Sequence, residues 1–176
     1  NNGHVLGLEW GEAYVAEARD GMNRAWHDSG LKGNNMNFRV AYPEDLIGAG
    51  VGSSTQDVVY VNNVMTLFFD QELAIAEMGR VLKPGGLLIM ETVFADRDRT
   101  PSCVEQAREL GNSIQAAQTR EQNLAWLEAA DFGEPEFVEE LAVEADRGYQ
   151  ANHKVAVAPG DEDVQYRAVT MFVRKK

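Results

Sequence analysis

Residues 80–97 read Arg80-Val-Leu-Lys-Pro-Gly-Gly-Leu-Leu-Ile-Met-Glu-Thr-Val-Phe-Ala-Asp-Arg97. A helical pattern runs into Val81-Leu82, and Lys83 supplies a cation of the kind that suits a helix C-terminus. Pro84 cannot continue a helix, and Gly85-Gly86 permit the backbone angles of a tight reversal. Leu87 to Met90 then form an apolar run without alternation, the pattern of a parallel strand covered on both faces. Helix, Pro-Gly-Gly, buried strand defines an α/β unit.

Working outward, the flanks repeat that alternation. Val5 to Leu8 read as a short strand, ending in Glu9-Trp10. Val15, Ala18, Met22, Ala25 and Trp26 recur at helical spacing, which predicts an amphipathic helix over 12–28 closed by Gly30 and Gly33. Strands are expected over 37–40 and 57–61. Asp70 is the expected N-cap of a helix reaching Leu82, with Leu73, Ile75 and Ala76 toward the sheet. Helices are expected over 101–117 and 120–130, and strands over 137–143 and 168–174. A polar insertion, 149–163, lies between the last two. This order predicts one α/β domain over 1–176 with a doubly wound, Rossmann-like sheet, mostly parallel and closed by an antiparallel C-terminal strand.

The 176 residues are 44% hydrophobic, enough to build a core. A formal charge of −12 argues against a nucleic-acid backbone or an anionic membrane surface as partner. One cysteine, Cys103, excludes an intrachain disulfide framework. No segment has the length and apolarity of a membrane span or the pattern of a signal peptide, so a cytoplasmic location is expected. His4, His27 and His153 show no metal-ligand spacing, and His153 is a candidate base.

Leu82-Lys83-Pro84-Gly85-Gly86 followed by an apolar strand resembles a corner of class I S-adenosylmethionine (SAM)-dependent methyltransferases. Val93-Phe94-Ala95-Asp96-Arg97 narrows the likeness to their arsenite methyltransferase-like branch. The resemblance covers nearly the whole chain and implies SAM as cofactor and a small-molecule methyl acceptor. Glu9, at its strand tip, then accepts hydrogen bonds from the ribose. Trp10 lies against the adenine, and Pro43-Glu44 flank it. Tyr42 stands where the family usually places a side-chain acceptor for the adenine amine. Asn62 falls near the methionyl part of SAM, and Asn63, Thr92 and Phe94 line the acceptor side.

The family places arsenic-binding cysteines at the positions of Asn63 and about Glu109. Amide and carboxylate oxygens do not replace thiolates for a soft metalloid, so an acceptor other than arsenite is expected. The family's first strand and its Gly-rich loop have no counterpart in the chain, which starts at what corresponds to the second strand. Gly48-Ala49-Gly50-Val51-Gly52 is no substitute, because no strand leads into it and no helix opens after it.

Two inner strand edges would then lie unpaired, at roughly 1–3 kcal/mol for each buried group without a partner. Upstream residues, a segment of a second copy, or direct pairing of the strands ending at Glu9 and Asn62 are expected to fill the gap. The alternative is a non-catalytic module of the same fold that binds a ligand or forms a homodimer. A nicotinamide dehydrogenase of related topology lacks its fingerprint loop here.

Overall fold

The computed structural model describes residues 3–30, 32–143 and 163–176. Nearly all of the expected 149–163 insertion, His153 included, lies outside them. Two compact units emerge, Asn1–Gly52 and Ser53–Lys176.

The first unit holds β1 (Val5–Glu9), α1 (Glu12–Ser29) and β2 (Met36–Val40). β1 and β2 pair in parallel, with Glu9 opposite Val40. Val15 is buried on α1, while Ala18, Met22 and Trp26 are half-buried, so the predicted stripe exists; Ala25 and His27 are exposed. The Arg19 guanidinium donates to the Phe38 carbonyl at 2.7 and 3.1 Å, tying the helix to β2. Gly30 takes a left-handed φ of 67° where α1 ends.

The second unit is a four-stranded sheet in the order β3 (Gln56–Asn62), β4 (Leu82–Ala95), β6 (Tyr166–Arg174), β5 (Glu136–Val143). β3 and β4 are parallel, and β6 runs antiparallel to both β4 and β5. α2 (Gln71–Val81), α3 (Pro101–Glu109) and α4 (Arg120–Ala129) accompany it. Strand alternation sends Val61, Leu88, Met90, Phe94, Val169, Met171 and Val173 into one core with Ile75 and Met78 of α2 and Leu127 of α4. The opposite face is barer. Val58 and Tyr60 are 51% and 57% exposed, and Leu87, Ile89 and Phe172 are half-buried.

Four sequence expectations change. The helix from Pro101 ends at Glu109, because Gly111 adopts a φ of 69° and the Asn112 carboxamide accepts the Gln115 N–H at 3.0 Å, starting a separate turn. On α2 the sheet-facing residues are Ala74, Ile75 and Met78; Leu73 and Ala76 are exposed, one step off that face. Strand β4 begins directly at Leu82, so Pro84-Gly85-Gly86 form an irregularity inside the ladder, between the pairs Gln56–Leu82 and Val58–Leu87. Gly85 carries a φ of 76° there, and Lys83 reaches the Asp57 carboxylate at 2.7 Å rather than the end of α2. Finally, β1 and β3 belong to different sheets, so the strands ending at Glu9 and Asn62 do not satisfy their inner edges by pairing with each other.

Asp70 is the N-cap as expected, its side chain accepting the Leu73 N–H at 2.9 Å. Asp70→Ala is expected to lower unfolding free energy by about 1 kcal/mol. A urea melt checks this through a reduced midpoint at unchanged slope.

Candidate functional site

In doubly wound folds, side chains at the carboxyl ends of parallel strands face the ligand. The two units each present such a rim.

In the first unit, the Ala41 N–H donates to the Glu9 carbonyl at 2.9 Å, which carries the β1–β2 ladder past the last strand residue. That bond holds the backbone at Glu9 while its side chain stays exposed. Trp10 follows at 62% exposure, and Gly11 is the N-cap of α1. From β2 the chain passes through buried Ala41 to exposed Tyr42, then to half-buried Pro43 and Glu44. Glu9, Trp10 and the 42–44 segment are thus brought to one end of the β1–β2 pair. Asp45 has a local task, accepting the Gly48 N–H at 2.8 Å. The Gly48–Gly52 segment is a turn, tied to β2 by the Arg39 guanidinium on the Ala49 carbonyl at 2.9 Å.

In the second unit, β3 ends at Asn62 in register with Glu91 of β4. Asn63 turns the chain with a φ of 53°, a left-handed conformation that asparagine tolerates better than most residues. Its N–H donates to the Glu91 carbonyl at 2.8 Å, and its amide donates to the Asn62 side-chain oxygen at 3.0 Å. The Tyr60 hydroxyl donates to the Glu91 carboxylate at 3.1 Å. Partial desolvation of that hydroxyl, aided by the Glu91 carboxylate, raises the phenol above its ordinary value, while a hydrogen bond with Asn62 works the other way.

Asn62 and Asn63 are therefore together at the rim, exposed. Thr92 and Phe94 lie on the other face of β4, 2% and 4% exposed, and Phe94 packs in the main core. Tyr60 and Glu91 were not singled out from the sequence. They are 31 positions apart, and strand register alone brings them together. Glu109 ends α3 and is exposed.

A family model described as a methyltransferase domain matches residues 1–134. The chain belongs to that methyltransferase family. It is 33% identical to the arsenite methyltransferase of Mus musculus over 93 residues, which are 53% of this chain and 25% of that protein. The Homo sapiens arsenite methyltransferase is 32% identical over 92 residues, 52% of this chain and 24% of its own length. The matched stretch thus spans about a quarter of these relatives.

Among solved structures, an arsenic(III) S-adenosylmethionine methyltransferase from Chlamydomonas reinhardtii shares the fold at a TM-score of 0.82 and 23% identity, covering 99% of this chain and 56% of that one. The [4+2]-cyclase SpnF also shares it, at a TM-score of 0.61 and 22% identity, over 98% of this chain and 66% of that one. No helix among the described residues is long and apolar enough to cross a membrane.

Proposed function

We propose that residues 1–176 form one methyltransferase-like domain of an enzyme that transfers a methyl group from SAM to a small molecule other than arsenite. The observation that carries this is the β1 rim, where an exposed carboxylate, Glu9, is followed by an exposed indole, Trp10, with Pro43 and Glu44 beside them. These groups suit the cofactor chemically. A carboxylate accepts hydrogen bonds from a ribose diol, and an indole face stacks on adenine. SAM, when bound, supplies a methyl group already activated on a sulfonium sulfur.

Glu9 then orients the ribose, Trp10 covers the adenine, and Pro43-Glu44 border it. By the resemblance Asn63, Thr92 and Phe94 are the acceptor-side residues; Asn63 is exposed at the rim, whereas Thr92 and Phe94 are buried on the other face of β4. In-line methyl transfer asks the protein mainly for positioning and exclusion of water, so no nucleophilic triad is required. Arsenite is disfavoured because Asn63 and Glu109 offer oxygen donors where a soft metalloid needs thiolates. The same fold in a cyclase shows that architecture alone does not set the reaction. No observation favours the non-catalytic reading.

Calorimetry on the full-length protein tests this. SAM and S-adenosylhomocysteine are expected to bind with micromolar to submillimolar affinity. No heat at millimolar ligand would remove the cofactor reading.

A further inference from the structure

The barer face of the second unit's sheet carries a half-buried carboxylate, Glu91, besides the exposed Glu136 and Glu139 of β5. Glu91 points to the same side as Val58, Tyr60, Leu87 and Ile89, as the alternation of β3 and β4 requires. Its neighbours across the sheet are Asn62 on β3 and Thr170 on β6. The residue is half-buried, and the Tyr60 hydroxyl takes one of its oxygens. Among the described residues no Lys or Arg pairs with it. The cation on that face, Arg174, stands opposite Leu87 toward the other end of β4 and donates to the Gly85 carbonyl.

Partial burial takes water from the Glu91 carboxylate, and the Tyr60 hydroxyl replaces only one of the hydrogen bonds lost. Here the second carboxylate oxygen, the exposed Tyr60 ring and the Asn62 amide lie together at the carboxyl end of β3. A carboxylate beside an aromatic ring and amide oxygens is a donor set for an organic ammonium ion. The chain's charge of −12 also favours a cationic ligand.

We propose that Glu91, with Tyr60 and Asn62, binds an ammonium group of the methyl acceptor, so that the substrate class is a small amine-bearing molecule. Glu91 accepts the ammonium N–H, Tyr60 offers its ring face and fixes the carboxylate, and the Asn62 carboxamide oxygen completes the set. The assignment concerns the acceptor's anchoring group and not the atom that is methylated. Its place in a reaction rests on the methyl-transfer reading, whereas the binding event does not.

The test uses the full-length protein and titrates methyl-, dimethyl- and tetramethylammonium, with ethanol as the neutral control, read by calorimetry or by NMR shifts. Ammonium ions are expected to bind in the millimolar range and ethanol not to compete. Glu91→Gln, nearly the same in shape, is expected to weaken ammonium binding about 10–100-fold, and Tyr60→Phe by about threefold, with melting temperatures unchanged. Equal ammonium binding by wild type and Glu91→Gln overturns the proposal, as does the absence of ammonium binding by wild type.

SAM carries a sulfonium and an α-ammonium, and S-adenosylhomocysteine keeps the α-ammonium, so both are titrated against both proteins. If Glu91→Gln weakens SAM but not S-adenosylhomocysteine, the cation recognised is the cofactor's sulfonium; if it weakens both, it is the α-ammonium they share; in either case the acceptor assignment falls. If wild type binds ammonium ions and neither cofactor form, the methyl-transfer reading fails while the Glu91 site stands.

Discussion

Phe132→Ala is expected to lower the unfolding free energy of the second unit by about 3–5 kcal/mol, a large part of what an ordinary domain possesses. Phe132 is 1% exposed and sits in the main core with Ile75, Met78, Leu127 and Val173. Its backbone is held on both sides. The Phe132 N–H donates to the Leu127 carbonyl at 3.0 Å, and an isolated bridge pairs it with Lys175. Asp131, just before it, carries a φ of 62° and an ion pair to Lys175 at 2.8 Å, so the segment cannot readily follow a shrinking side chain.

Gly79 presses on the same ring from α2, where an added Cβ would come within 3.3 Å of it and 2.8 Å of the Ala130 carbonyl. A cavity left by the ring would therefore stay largely open, which places the cost at the upper part of the range. Urea unfolding is the measurement, and a midpoint within error of wild type would show that the core does not depend on this ring. Phe132→Leu, which keeps most of the volume, is expected to cost much less.

That residue also marks where sequence reading stops. Asp131-Phe132-Gly133 is recognisable as the end of α4, but nothing local distinguishes a phenylalanine that terminates a helix from one that plugs the core. Patterns with short range were readable: the stripe on α1, the Asp70 cap, the apolar β4 and the β6 strand all follow from periodicity within one element. Expectations went astray where a neighbouring element decides. Leu73 and Ile75 are equally apolar, and the packing partners of α2 choose between them. Pro84-Gly85-Gly86 breaks a helix in any context, yet only the register with β3 makes it an irregularity within a strand. Glu9 and Asn62 were legible as strand ends, a local property, and each does end its strand. Tyr60 and Glu91 were missed because their contact exists only through the parallel pairing of β3 with β4.

Glu9→Ala is the second large effect, and it separates binding from folding. The side chain is exposed and makes no hydrogen bond or ion pair among the described residues, so its removal is expected to leave the melting temperature within a degree or so of wild type. If the carboxylate accepts both ribose hydroxyls, two charge-assisted hydrogen bonds vanish together. Such bonds are worth about 1.5–3 kcal/mol each in isolation, and water recovers part of that at an open rim, so SAM affinity should fall about 10–100-fold. S-adenosylhomocysteine should weaken by the same factor, because the ribose is common to both ligands.

In turnover with a working acceptor, KM for SAM should rise while kcat at saturation stays close to wild type, the pattern of a contact made equally in ground and transition states. Glu9→Gln keeps one acceptor oxygen and should fall between the two. A Glu9→Ala protein that binds SAM as tightly as wild type would take the ribose from Glu9. The β1 rim would then no longer support the cofactor reading, even though the family membership would be untouched.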